Sequence, residues 1–153
     1  MESTGKKLTN LRKQRILVVE DSLIHAQVLA MLLEEIGISA EIVQNLASAL
    51  ARLAVGEFDL VMLDLTLPDC SGLEPVIRIG KLYPTLPIVV MTALEGAELG
   101  CAALQSGAED YLVKGETRAA DVERAIRYAA ERKKQSNRVL ESERHLRQTI
   151  AKS

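Results

Sequence analysis

Aromatic residues are scarce in this chain, which has no tryptophan, one phenylalanine and three tyrosines among its 153 residues. Because 48% of the residues are nevertheless hydrophobic, the core must be built from leucine, isoleucine, valine and alanine. No apolar run approaches the ~18 residues of a membrane helix. The basic N-terminus, residues 1–14, lacks the apolar segment of a secretory signal. We therefore expect a cytoplasmic chain without a membrane partner.

Cysteine is also rare, with only Cys70 and Cys101 in the chain. Their sequence contexts are unrelated, and they match neither the spacing of a metal site nor a disulfide framework. This usage is typical of a reducing compartment. We expect neither cysteine to belong to a site.

Charge is segregated along the chain, although the net charge is only −2. Residues 1–15 carry five Lys or Arg against one Glu, and residues 114–153 carry eleven against six acidic residues. Between them, residues 16–113 carry three basic and fourteen acidic residues. An acidic middle segment argues against nucleic-acid binding by this chain. It fits a cation-binding acidic site in that segment.

Short apolar segments alternate with amphipathic ones from Arg15 onward, which predicts five strand–helix units. Apolar residues at three- and four-residue spacing mark the helices, and glycines follow several of them. The predicted strands are residues 16–19, 41–43, 59–63, 87–91 and 110–113, and the predicted helices are 24–36, 46–55, 72–81, 95–105 and 118 onward, with Asn45 as the N-cap of the second helix. Such a series implies an α/β fold, a doubly wound parallel sheet with helices on both faces.

Polar side chains stand where four of these strands end. Strand one is followed by Glu20 and Asp21, strand three by Asp64, strand four by Thr92 and strand five by Lys114. Because ligands bind outside the carboxyl ends of such strands, we expect the five side chains to form one site.

The chemistry of this predicted site is that of phosphoryl transfer. Close carboxylates repel one another unless a cation joins them, and hard oxygen ligands suit Mg²⁺ or Mn²⁺. A metal ion, an ammonium and a hydroxyl can neutralise the charge of a phosphoryl group, and an aspartate can accept that group covalently.

The same residues fall into motifs that resemble one family, the receiver domains of two-component response regulators (CheY-like superfamily). The matching motifs are Glu20-Asp21, Asp64 with Pro68 and Gly72, Thr92-Ala93, and Tyr111-Leu112-Val113-Lys114. The resemblance covers about residues 14–131. It implies a flavodoxin-like fold with a five-stranded parallel sheet in the order 2-1-3-4-5 and five helices, the last of them extended.

The resemblance also implies the roles of the site residues. Asp64 is the phosphoacceptor, and Lys114 contacts the phosphoryl group. Glu20, Asp21 and Asp64 hold the metal ion, together with the backbone carbonyl of Thr66. The donor is a sensor histidine kinase or a histidine phosphotransfer protein. Such a domain is no enzyme beyond its own phosphorylation and dephosphorylation.

Two further residues are implied as the switch. Thr92 turns toward the phosphoryl group, and Tyr111 then rotates inward. Together they alter the face formed by helix four, strand five and helix five.

One residue departs from the family's pattern, since Gly115 follows Lys114 where the family usually has proline after a cis peptide bond. A cis bond before a residue other than proline costs about 2.5–4 kcal/mol. We therefore expect a trans bond at this position.

Other functions compete with this interpretation. Phosphatases of the haloacid dehalogenase type also place an aspartate after a strand, but they need a second aspartate where this chain has Thr66. A receiver that acts without phosphorylation, as a docking module, conflicts with the presence of all five site residues. A stand-alone receiver is a third alternative.

The C-terminal segment is predicted to be one long helix, since residues 118–150 contain neither proline nor glycine. Its heptad is only half apolar, so a coiled coil and a solvated extension are both open. The heptad positions are Val122, Ala129, Ser136, Glu143 and Ile150, with Ala125, Arg132, Val139 and Leu146 between them. We expect a flexible N-terminus (1–14), a receiver (15–131) and a helical linker (132–153) to a missing output domain, and a homodimer through the last helix remains open.

Overall fold

The computed structural model describes residues 14–93 and 97–152, and it contains a five-stranded parallel sheet in the order β2-β1-β3-β4-β5. The strands are β1 (Ile16–Val19), β2 (Glu41–Val43), β3 (Leu60–Asp64), β4 (Ile88–Thr92) and β5 (Asp110–Val113). The helices are α1 (Leu23–Glu35), α2 (Leu46–Val55), α3 (Glu74–Leu82), α4 (Ala97–Gln105) and α5 (Ala119–Lys152). The predicted flavodoxin-like fold and its strand order are confirmed.

Helices cover both faces of the sheet, because successive side chains of a strand point to opposite faces. Leu17 and Val19 of β1 pack in a cluster with α2, α3 and α4, whereas Ile16 and Val18 pack with α1 and α5. All four side chains of β1 are buried. A run of apolar residues without polar alternation is what a strand covered on both faces requires.

Two helices that begin at the carboxyl edge of the sheet have polar caps. The Ser22 hydroxyl accepts a hydrogen bond from the backbone N–H of His25 at the start of α1. The Asn45 side chain accepts one from the N–H of Ser48 at the start of α2, as the sequence predicts. Such caps satisfy N–H groups that the helix itself leaves unpaired.

The predicted boundaries differ from the observed ones by one or two residues at several elements. Strands β3 and β4 each begin and end one residue later than predicted. Helix α3 begins at Glu74, because Gly72 has a φ of 77° and belongs to the preceding turn. The Lys114–Gly115 bond is trans, as expected, and Gly115 has a φ of 85°.

Helix α5 runs for 34 residues and leaves the sheet part-way along its length. Val122, Ala125 and Ala129 are buried against the sheet. Near the departure point Arg132 donates to the backbone carbonyl of Glu109, and Lys133 Nζ lies 3.4 Å from its carboxylate. The apolar side chains farther along, Val139, Leu140 and Leu146, are more than half exposed.

Three sequence predictions touch residues outside this description. Residues 1–13 of the basic N-terminus, the first residues of the predicted fourth helix and Ser153 are not among the described residues. Among the helices that are described, none combines the length and hydropathy of a membrane-crossing segment.

Candidate functional site

The sheet register brings the predicted site residues to one edge. Val19 pairs with Leu63, so the residues that follow them, Glu20 and Asp64, become neighbours. On the other side of β3, β4 ends at Thr92, whose carbonyl accepts a hydrogen bond from the Lys114 N–H at 2.8 Å. The predicted edge is thus the observed one.

Three carboxylates lie close together at this edge. The side chains of Glu20 and Asp64 are each 1% exposed, and Asp21 beside them is exposed to solvent. One oxygen from each of the three carboxylates lies within 4.8 Å of the others. Buried like charges at this separation need a positive partner.

Lys114 is the partner that the protein itself supplies. Its ammonium lies 2.8 Å from Oε2 of Glu20 and 3.0 Å from Oδ1 of Asp64, so it bridges the two buried carboxylates. Hydrogen-bonded charge pairs of this kind are short and roughly twice as strong as neutral ones.

The two oxygens of Asp64 differ in their surroundings. Oδ1 accepts hydrogen bonds from the backbone N–H of Thr66 at 3.1 Å and from its hydroxyl at 3.0 Å, in addition to its contact with Lys114. Oδ2 is buried and has no hydrogen-bond partner among the residues that the structure describes. A buried acceptor without a partner costs free energy, so this oxygen is available to a ligand.

Burial and the neighbouring charges shift the pKa values of Glu20, Asp64 and Lys114. Burial raises the pKa of Glu20, and the nearby Lys114 and Ser22 N–H only partly offset it. Burial also acts to raise the pKa of Asp64, but Lys114 and the Thr66 donors outweigh it and lower this pKa. Burial opposes the charged form of Lys114, yet the two carboxylates raise the pKa of its ammonium.

The acidic group fits a divalent cation. Three carboxylates against one ammonium leave the site with a net charge of −2 when all four groups are ionised. Oxygen ligands of this kind are those that Mg²⁺ and Mn²⁺ prefer, and Asp64 Oδ2 is a buried ligand atom without another partner.

The loop after β3 is a tight turn that presents Thr66 to Asp64. Thr66 and Ser71 form an antiparallel bridge, and the Gly72 N–H donates to the Leu65 carbonyl at 2.7 Å. Gly72 closes this turn with a φ of 77°, a conformation that favours glycine. The glycine of the sequence motif is therefore required by the backbone of the turn.

Asp69 links this loop to the N-terminus of helix α2 through hydrogen bonds. Its carboxylate accepts hydrogen bonds from the backbone N–H groups of Leu46 and Ala47, both at 3.0 Å. These two N–H groups lower the pKa of Asp69. The loop that carries Thr66 is thereby held by a helix N-terminus 22 or 23 residues away in sequence.

The two predicted switch residues lie on neighbouring strands, Thr92 at the end of β4 and Tyr111 on β5. Thr92 is 3% exposed, and its hydroxyl donates to the Ala93 carbonyl at 3.3 Å. Tyr111 is half-buried and packs against the core cluster that includes α4. Cys70 is half-buried and Cys101 is exposed, and neither forms a disulfide.

Sequence reasoning missed two residues near the site. Asp69 lies within the Asp64 motif, but nothing in the local sequence indicates that its carboxylate accepts hydrogen bonds from the N-terminus of α2, more than 20 residues earlier. Gly100 in α4 contacts the region of Tyr111 and Thr92. No local sequence signal distinguishes it from other helical glycines.

Comparisons with known proteins identify the family. The model of the response regulator receiver domain matches residues 16–127. The chain belongs to this family. The swarming motility regulation protein RssB of Serratia marcescens is 40% identical over 65% of this chain and 45% of its own length. The transcriptional regulatory protein ZraR of Klebsiella oxytoca is 35% identical over 65% of this chain and 22% of its own length.

Solved structures agree with this assignment of the receiver domain. A response regulator receiver domain protein from Clostridium thermocellum has a TM-score of 0.71 and 26% identity, covering 80% of this chain and 98% of that one. NtrX from Brucella abortus has a TM-score of 0.75 and 27% identity, covering 90% of this chain and 33% of that one. The chain spans less than half the length of the two curated relatives, RssB and ZraR. Receiver domains are regulatory phosphoacceptors of two-component signalling, and that is the class of this chain.

Replacing Asp69 with Asn is expected to destabilise the receiver at neutral pH, because it removes the charge that two N–H groups of α2 stabilise. Since the pKa of Asp69 is lowered by folding, its contribution is present above the unfolded pKa of about 3.9 and is lost as the pH falls through the folded pKa. Urea unfolding of both proteins from pH 7 to pH 3 measures this, with Glu57→Gln as the exposed control. A gap between wild type and Asp69→Asn that stays constant over this range would contradict the assignment.

Proposed function

We propose that this receiver accepts a phosphoryl group on Asp64 from a phosphohistidine of a sensor histidine kinase or a histidine phosphotransfer protein, with Mg²⁺ or Mn²⁺ bound. The supporting observation is the Lys114 ammonium, which bridges two buried carboxylates next to the exposed Asp21. A structural ion pair would need no third carboxylate and no buried oxygen without a partner.

The chemistry follows from the groups around Asp64. A carboxylate oxygen of Asp64 attacks phosphorus, a new O–P bond forms, and the P–N bond to the donor histidine breaks. Lys114 is close enough to contact the transferred group while remaining near Glu20. Glu20, Asp21 and Asp64, with the Thr66 carbonyl, would hold the divalent cation, which supplies positive charge at the phosphoryl oxygens.

The output is a shift between two conformations. A phosphorylated Asp64 would carry about −1.5 to −2 charges at neutral pH, compared with −1 for the ionised carboxylate, and the new oxygens would lie on the Thr92 side of β3. A hydroxyl that turns toward the new oxygens leaves room beside Tyr111, which lies on the next strand. A ligand shifts such an equilibrium only by its difference in affinity for the two states, so a few kcal/mol suffices.

Helix α1 offers the donor a surface beside the site. Its exposed apolar side chains are Leu23 (63%), Ile24 (72%), Val28 (50%) and Met31 (65%). A cavity of about 110 Å³ lies between this helix and the site, and both Val28 and Lys114 line it. An apolar patch that borders the phosphoacceptor is where a protein donor would dock.

The extended part of α5 is proposed as a linker to an output domain, with the receiver in residues 15–131 and the linker in 132–153. The buried stripe of Val122, Ala125 and Ala129 continues in heptad register into exposed Val139 and Leu146. A second copy of the helix would cover these side chains, while Glu143 in the same stripe would weaken the pairing. A stand-alone receiver is the alternative.

Incubation with Mg²⁺ and acetyl phosphate is expected to add one phosphoryl group to the wild-type chain and none to Asp64→Asn, measured by intact mass. Removal of the metal ion with EDTA should abolish the addition. An unmodified wild-type protein that is folded and supplied with Mg²⁺ would favour the docking module that works without phosphorylation.

Replacing Ile24 with Glu is expected to slow phosphoryl transfer from any phosphohistidine protein that serves the wild type, by about tenfold or more, as for loss of a buried interface anchor. The rate with acetyl phosphate should not change, because the substitution leaves Asp64 and Lys114 intact. Val55→Glu, an equally exposed site at the far end of α2, is the control. Equal transfer rates in the two variants would show that α1 is not part of the surface at which the phosphohistidine protein docks.

Self-association through α5 is expected to be weak and concentration-dependent, and Leu146→Glu should abolish it by placing a charge in the apolar stripe. Gln148→Glu adds the same charge on the opposite side of the helix and serves as the control. Sedimentation equilibrium measures both. A wild-type chain that remains monomeric at all concentrations would favour the solvated extension.

A further inference from the structure

Gly100, in the middle of α4, is buried beneath the ring of Tyr111. A Cβ atom added at this position would lie 2.9 Å from Cδ2 and 3.0 Å from Cγ of Tyr111, and 3.4 Å from Cγ2 of Thr92. Carbon atoms pack best at about 3.5–4.0 Å, so the first two contacts would be repulsive. The backbone of α4 therefore approaches Tyr111 more closely than a larger residue would allow.

The position of the clash on the tyrosine matters. Cγ and Cδ2 are at the base of the ring, close to the backbone of β5, so rotation of the ring about its own axis cannot relieve a clash with Cγ. Either the whole side chain must turn about its first torsion, or α4 must move away from β5. Both changes alter the surface that α4 and β5 share.

We infer that Gly100 is a positioning residue for Tyr111: its missing side chain lets the ring lie against α4 beside the methyl group of Thr92. The size of residue 100 then sets where Tyr111 rests and how far it can move when Thr92 moves. The second half of this inference rests on the proposed function, whereas the first half concerns packing alone.

A second helical glycine supplies a matched control. A Cβ atom added at Gly80 in α3 would meet nothing within 4 Å. Glycine within a helix is less favourable than alanine, so Gly80→Ala should stabilise the protein. The preference of helices for alanine over glycine also acts at Gly100. Gly100→Ala would therefore stabilise the protein too, unless the added methyl group clashes with its neighbours.

The packing half is tested by urea unfolding of Gly100→Ala and Gly80→Ala, each with Tyr111 and with Tyr111→Ala. We expect the unfolding midpoint to rise for Gly80→Ala in both backgrounds. For Gly100→Ala it should fall when Tyr111 is present and rise when Tyr111 is replaced. A midpoint that rises equally at both glycines, or a Gly100→Ala penalty that persists without Tyr111, would overturn the inference.

A second measurement does not depend on the folding of Tyr111→Ala. The chain has three tyrosines and no tryptophan, so replacing Tyr83 and Tyr128 with Phe makes Tyr111 the single fluorescent residue. Gly100→Ala in this background should increase the quenching of Tyr111 by iodide, because the ring is pushed away from α4. Gly80→Ala should leave it unchanged. Identical quenching in all three proteins would contradict the inference.

The switching half is tested with the same single-tyrosine proteins, Mg²⁺ and acetyl phosphate. Intact mass should show one phosphoryl group on the glycine and alanine forms alike, while the fluorescence change of Tyr111 on phosphorylation should be lost in Gly100→Ala. An unchanged fluorescence response would overturn this half. If the wild type takes up no phosphoryl group, the proposed function and this half both fail, and the unfolding comparison alone decides the packing.

Discussion

The contact between the Lys114 ammonium and the carboxylates of Glu20 and Asp64 is the interaction on which the site depends. Two carboxylates that are each 1% exposed could not both stay ionised in the interior without a cation between them. Lys114 follows β5, where its backbone N–H is hydrogen-bonded to the Thr92 carbonyl at the end of β4, and its long side chain extends from there to both carboxylates. The register of the strands therefore determines that these three charged groups meet at one edge of the sheet.

That arrangement leaves the site incomplete in a specific way. One lysine cannot balance three acidic groups, and one oxygen of Asp64 remains buried without a donor among the described residues. A protein that needed only stability would have replaced these charges by apolar side chains. The remaining negative charge and the buried oxygen without a donor are the two features that support the proposed binding of a cation and a phosphoryl group.

The fold and the edge of the site could be predicted because they follow from local patterns. Continuous apolar strands, glycine-ended helices and polar residues at strand ends each carry their own signal, and together they fix which side chains meet. The contacts of Asp69 with α2 and of Gly100 with Tyr111 could not be predicted. Asp69 contacts residues more than 20 positions earlier in the chain, and the Gly100–Tyr111 contact depends on how closely α4 packs against β5. Neither contact leaves a periodic pattern in the sequence.

Helix α5 gives the receiver a reach that the sheet alone would not have. From Lys133 to Lys152 it continues for about 28 Å at 1.5 Å per residue, and Val139, Leu140 and Leu146 are exposed along it. A rigid rod of this length would act as a lever that pivots at the contacts with Glu109, one residue before β5. A tilt of about 5° at that point would displace the far end by about 2.5 Å, so a small rearrangement around β5 would be amplified with distance.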